Sequence, residues 1–277
     1  MYNVKTLNYY AIWLHGLSFI GVLGAFLAKP QEDNFNTDLF RMKLLELTDG
    51  DREAVVGIKK QSEITTDTLK AFILLTFGLT ALFHLFYYTD GFGSGAYSAQ
   101  LALGRNVFRW IEYAITSTIM VFVLSIISGI KSADSVFLVC TANMVLMCFG
   151  YFIEIAPTKK SKIVGLVAGF FSLITIWYVI LFNFYSRVSE VEDMPHPTKP
   201  GATRTIPSWV KQVLTPMCIW YASFGVVAAL YVKNVGKPGF SFLTYERYYV
   251  ILSYLSKAFM GYYLTFGLTR DKADDLD

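Results

Sequence analysis

Residues 245–269 read YERYYVILSYLSKAFMGYYLTFGLT. A stretch of this length without proline can cross a bilayer core as one helix, which needs about 20 residues. Past Glu246 and Arg247 at its start the stretch is mostly apolar and aromatic, except at its centre, where Lys257 stands about twelve residues from either end. At that depth a lysine snorkels poorly. Its ammonium costs about 2.5–3.5 kcal/mol at a helix centre on insertion scales. Such residues face a bundle interior, pair with an acid and mark a functional place.

The rest of the chain has the composition such a helix requires. Of 277 residues, 54% are hydrophobic and only 16% charged, with mean hydropathy +0.44. Ordinary soluble chains carry about 25% charged residues. Soluble, disordered, collagen-like and disulfide-scaffold classes are excluded, and a net charge of +3 is too mild to point to nucleic acid. Six further apolar runs, at 7–28, 68–89, 107–130, 135–156, 163–187 and 209–232, precede 245–269. The fold class that follows is an all-α membrane protein, a seven-transmembrane helix bundle forming a single domain over residues 1–277 in a lipid bilayer. The first run is too long for a signal-peptide core and reads as an uncleaved anchor.

Two connectors stand out. In loop 29–67, residues 40–47 and 53–64 are strand-like and flank Thr48-Asp49-Gly50-Asp51, a hairpin turn signal. A β-hairpin on the membrane surface is expected there, serving chiefly as a covering flap. Residues 189–208 hold Pro195, Pro197, Pro200 and Pro207 and read as an extended loop. Cys140, Cys148 and Cys218 fall inside spans, lack metal-ligand spacing and read as reduced packing residues. Seven spans put the termini on opposite sides. Acids on the N-terminal side are limited to Asp90, Glu154 and Glu246, which favours a cytoplasmic N-terminus and an extracellular C-terminus.

Sorting the remaining charges into loops and span ends leaves two well inside helices, Lys257 and Glu112. An ion pair tying two helices together would explain them structurally. Chemistry offers more. A buried amine suits a Schiff base with an aldehyde, and the resulting cation needs a carboxylate beside it. Glu112 is that carboxylate, with Arg109 about one turn before it and Thr116 one turn after. Ser253 and Gly261 stand one turn to either side of Lys257, the glycine leaving room beside a bulky adduct. Trp220, Tyr221 and Phe224 can wall a flat apolar slot, although each aromatic taken singly is more often packing. His15 and His84 lie within spans one and two, with Thr80 one turn before His84. A lone buried histidine is usually a satisfied core residue; a pair in adjacent helices can hold a hydrated, proton-accepting pocket.

Together these residues resemble the microbial retinal proteins, whose third helix carries Arg-aromatic-x-Asp/Glu, here Arg109-Trp110-Ile111-Glu112. Finer detail is similar to the heliorhodopsins. Arg-Trp-x-Glu-Tyr runs through Tyr113, and Ser253-Tyr254-Leu255-Ser256-Lys257 has the family's serine ahead of a Ser-Lys pair. Asn143, Phe149-Gly150 and Glu154 match the fourth helix. The buried His15 and His84 and the long loop after span one are family traits as well. The resemblance covers the whole chain. It implies all-trans-retinal bound covalently to Lys257, with Glu112 as counterion. It implies Thr80, His84, Tyr113, Thr116, Met120, Asn143, Gly150, Trp220, Phe224 and Ser253 as further cofactor-binding residues. Thr80 and Thr116 depart from an expected serine but keep the hydroxyl. It also implies a homodimer and an inverted orientation with the N-terminus cytoplasmic.

The function expected is a non-enzymatic photoreceptor with a slow photocycle, signalling rather than pumping. An outward pump of the ordinary microbial type uses a second acid four residues before the lysine and a proton donor eleven residues beyond the helix-three acid. Here those positions hold Ser253 and Val123. The alternative is light-gated passive proton conduction, with Glu190, Glu192 and Asp193 as the mouth of a proton path. Two other classes fit less well. An intramembrane metal hydrolase needs about three histidines plus an acid, and the spans hold two. A plain transporter would use Lys257–Glu112 as a gating pair.

Overall fold

The computed structural model describes residues 3–28, 36–44, 56–192 and 208–269. Seven long helices form the bundle: α1 (Val4–Ala28), α2 (Thr66–Tyr88), α4 (Val107–Ile127), α5 (Ala133–Ile155), α6 (Lys159–Glu192), α7 (Ser208–Asn234) and α8 (Phe242–Thr269). An eighth, α3 (Ala96–Ala102), is short. Starts are set by local chemistry. The side chains of Thr65, Asn106 and Ser132 accept from the amides of Thr68, Arg109 and Ser135 at the N-termini of α2, α4 and α5. α6 runs 34 residues, past both ends of the expected 163–187. At 1.5 Å per residue it is about 51 Å long and overshoots a bilayer core of about 30 Å.

Neighbouring helices pack around a closed ring: α1 on α2, α2 on α4, then α5, α6, α7 and α8, which returns to α1. In water a helix hides its apolar side; here large apolar residues such as Phe137, Phe171, Phe182 and Ile219 face outward. The polar residues are inside, among them Asn8, His15, Thr80, His84, Arg109, Glu112, Asn143, Glu246 and Lys257. On α1 the buried set Val4, Asn8, Ala11, His15, Ser18, Val22 and Phe26 recurs at helical spacing, giving an interior stripe that is partly polar. Among the described residues, six of the seven long helices are long and apolar enough to cross a membrane by length and composition. The exception is α8, whose hydropathy is lowered by Glu246, Arg247, Lys257 and many tyrosines.

The hairpin is present. β1 (Asn36–Leu44) pairs antiparallel with β2 (Val56–Thr65), with a register shift between Leu39 and Phe40. The turn expected at residues 48–51 lies outside the described residues. Leu39 and Ile64 reach into the main apolar core. The Phe40 amide donates to the Lys131 carbonyl at 2.8 Å, so the hairpin is fastened to the α4–α5 connection.

The sequence reading did not include α3. Its seven residues are too few for a periodic signal. A run of left-handed residues leads into it: Asp90, Gly91, Phe92, Gly93 and Gly95 all have positive φ. Gly91 is needed on two counts, since a Cβ there would also press on Ser94 and Ala96. The turn is clasped by Asp90, whose carboxylate accepts from the Ser98 amide and from the Ser98 hydroxyl, each at 2.7 Å. These bonds hold the Asp90 carboxyl below its ordinary value.

Candidate functional site

Lys257 and Glu112 come from α8 and α4, on opposite sides of the bundle interior, and meet. Lys257 Nζ donates to Glu112 Oε1 at 2.9 Å and to Ser253 Oγ at 2.9 Å. Ser253 is one turn earlier on the same helix, so the α-helical repeat alone places its hydroxyl beside the amine. The other carboxylate oxygen, Glu112 Oε2, accepts from Tyr87 OH at 3.0 Å. Both charged side chains are buried. A charge pair removed from water in this way is tolerable only when both members are satisfied, and here each has a neutral hydroxyl partner besides the other.

On one side of Lys257 a cavity opens between α4, α5, α6, α7 and α8. Its lining includes Trp110, Tyr113, Met120, Phe170, Tyr221 and Phe224, with Ser253, Ser256 and Lys257 at the polar end. Thr116 and Gly150 also line it. Gly150 is there for close approach: a Cβ would collide with the six-membered ring of Trp110. The Tyr113 ring is 5.3 Å from Lys257 Nζ and stacks edge-on to Phe224. Asn143 sits behind this wall and donates to Ser117 Oγ and Thr118 Oγ1 at 2.8 and 2.9 Å.

The expected residues divide by place. Tyr113, Thr116, Met120, Gly150, Phe224 and Ser253 face the cavity, whereas Trp220 does not. Its neighbour Tyr221 forms the wall, because one step along a helix turns a side chain by about 100°. Gly261 does not open room beside the Lys257 amine alone; it accommodates the Phe77 ring, which a Cβ would strike. Thr80, His15 and His84 lie toward α1 and α2. The two imidazoles stack with centroids 5.5 Å apart and planes 12° apart. His84 Nδ1 pairs with Asn8 Oδ1 at 2.8 Å, while His84 Nε2, both nitrogens of His15 and the Thr80 hydroxyl have no partner among the described residues. Such buried orphan atoms are what a hydrated pocket presents. Glu190 is exposed and bonded to Arg187 at 2.7 Å. The Glu192 side chain and Asp193 lie outside the described residues. Among the described residues no three His, Cys, Asp or Glu side chains gather as a metal set.

A second charged cluster escaped the sequence reading. Arg109 bonds Glu246 through one terminal guanidinium nitrogen and Glu154 through the second, and all three side chains are buried. Asn106 joins them, its side-chain amide donating to Glu246 at 2.7 Å and its backbone amide to Glu154 at 2.8 Å. The Arg109 guanidinium also lies 4.2 Å from the centroid of the Tyr249 ring. These charges stand near span ends, where sequence alone suggests solvent. Asn8, also missed, did carry a signal, since it lies seven residues before His15 on the same buried face of α1.

A family model described as Heliorhodopsin matches residues 5–268. The chain belongs to the heliorhodopsin family. Solved structures with a similar fold include the light-driven proton pump LR (Mac) from Leptosphaeria maculans, with TM-score 0.63, 11% identity and 95% of each chain covered. Exiguobacterium sibiricum rhodopsin gives TM-score 0.62 and 12% identity, covering 96% of each chain. The transmembrane and linker region of Salpingoeca rosetta rhodopsin phosphodiesterase gives 0.63 and 11%, covering 99% of this chain and 73% of that one. At such identity the likeness speaks for the fold alone. No curated protein matches by sequence. This heliorhodopsin is thus an integral membrane protein of the retinal-binding, light-absorbing kind, in a family whose fold carries retinal on a lysine.

Proposed function

We propose that this heliorhodopsin is a photoreceptor carrying all-trans-retinal on Lys257, with Glu112 as counterion, and that it signals through a slow photocycle. The observation that carries the reading is the buried Lys257–Glu112 pair, 2.9 Å apart at the polar end of an aromatic-walled cavity. The residues suit a long apolar group attached at Nζ, since Gly150 keeps the Trp110 ring in the wall and Met120 and Phe224 supply apolar contact. Retinal held there as a protonated Schiff base supplies light absorption and a double-bond isomerisation. Glu112 holds the positive charge at Nζ in the dark. Ser253 orients that nitrogen, and Tyr87 shares the charge on Glu112. The orphan nitrogens of His15 and His84 are the nearest candidate proton acceptors on the α1–α2 side.

Signalling is favoured over pumping by what stands in the pump positions. Ser253 replaces the second acid, and Val123, where an internal donor would stand, is fully buried with no proton to give. We place the N-terminus in the cytoplasm and the C-terminus outside, and expect a homodimer and no enzymatic activity. The test is direct. Purified protein given all-trans-retinal should gain a visible band that Lys257→Ala abolishes, and flash excitation should give a cycle lasting seconds. Absence of colour, or a cycle of a few milliseconds with net outward proton movement, overturns the reading. Light-driven passive currents in voltage-clamped cells, lost in Glu112→Gln, would replace signalling with proton conduction.

A further inference from the structure

One route leaves the Lys257–Glu112 pair toward the N-terminal end of the bundle, a second starts at His84 packed on Tyr87, and both arrive at Tyr97. The first is a ring contact. Tyr87, whose hydroxyl holds Glu112 Oε2, stacks on the Tyr97 ring with centroids 4.9 Å apart and planes 28° apart. The second is a chain of hydrogen bonds. Asn8 donates through Nδ2 to Tyr97 OH at 3.3 Å, so its Oδ1 is free to accept from His84 Nδ1 at 2.8 Å. Tyr97 OH in turn donates to Glu246 Oε1 at 3.1 Å. Every donor in this chain points the same way and the chain ends on a carboxylate of the Arg109 cluster. His84 also packs edge-on against Tyr87, 5.6 Å between centroids, which ties the two routes together.

Tyr97 is the buried residue of α3. That helix is joined to the bundle by Gly91, Gly93 and Gly95 on one side and Gly104 on the other, all at positive φ. Elsewhere Glu246 is held by Arg109 and Asn106, so its hydrogen bond from Tyr97 is its link to the α1–α2 side.

We propose that Tyr97 is a positioning residue that transmits a charge change at the Lys257–Glu112 pair to the Arg109–Glu246–Glu154 cluster. The inference rests on the photoreceptor reading above. It is tested on the full chain loaded with retinal, by light-minus-dark infrared difference spectroscopy. In the unaltered protein a carboxyl band should respond to light and vanish in Glu246→Gln, which assigns it. Tyr97→Phe keeps the ring stack and removes only the hydroxyl. It should erase the Glu246 band while leaving the dark absorption maximum and the Glu112 band in place. Asn8→Asp, which retains an acceptor for His84 Nδ1 but no amide donor for Tyr97, should leave the Glu246 band present and shifted. A coloured, photoactive protein with no light-dependent Glu246 band, or with that band undiminished in Tyr97→Phe, overturns the inference and spares the photoreceptor reading. A protein that never gains colour overturns both.

Discussion

Arg109 is the residue on which the most buried charge depends. It neutralises two carboxylates, Glu154 and Glu246, with all three side chains buried. Removing one partner of a buried ionic group costs about 3–5 kcal/mol, because the charge left behind stays desolvated. Arg109→Gln strands two acids and should lower stability by at least that range. Glu154→Gln should cost clearly less, since Arg109 keeps Glu246 and the new amide can still accept from Asn106. Thermal unfolding of the detergent-solubilised variants checks both, and equal losses would defeat the argument. At this scale legibility was uneven. Lys257 and Glu112 were visible because a charge far inside an apolar run has no bland explanation. Glu154 and Glu246 were not, because a charge at a span end looks the same in sequence whether it meets water or another helix.

Among the elements, the hairpin and α3 are the parts that are not membrane helix, and they attach differently. β1 and β2 contribute Leu39 and Ile64 to the core and one backbone bond from Phe40 to Lys131. Lying against the edge of the helix ring, the hairpin should open as a unit of its own. Truncating a buried leucine costs about 2–5 kcal/mol. Leu39→Ala should therefore speed proteolytic cleavage in residues 36–65 while leaving the visible band of the retinal-loaded protein unmoved. A shifted band would mean that the hairpin shapes the Lys257 cavity. The hairpin was readable from alternation and an Asp-Gly turn. The seven residues of α3 were not, since their place depends on the Asp90–Ser98 clasp and on Tyr97 finding Tyr87, both contacts made after the chain has turned.

For the whole molecule, the ring of helices is closed by α8 packing on α1, and α8 carries Lys257. A ligand held at Lys257 with walls from α4 to α7 binds only the assembled ring. Ligand that binds the folded state alone stabilises it, by about 2.7 kcal/mol at a hundred times its dissociation constant. Retinal should raise the melting temperature, with the visible band and the helical signal lost in one transition, and Lys257→Ala should gain nothing. Separate transitions would show that the ring unfolds in parts. What the sequence by itself determined is the class of the molecule, its seven long helices and the two charges that do not belong in lipid. Those follow from the cost of moving single residues out of water, which composition and spacing record. The tertiary structure alone decided which polar groups meet: the Arg109 cluster, the stacked imidazoles, Tyr221 rather than Trp220 in the wall, and Tyr97 between two networks. Hydrogen bonds act over about 3 Å. A helix rotated by one residue would break them all without altering the hydropathy of the chain.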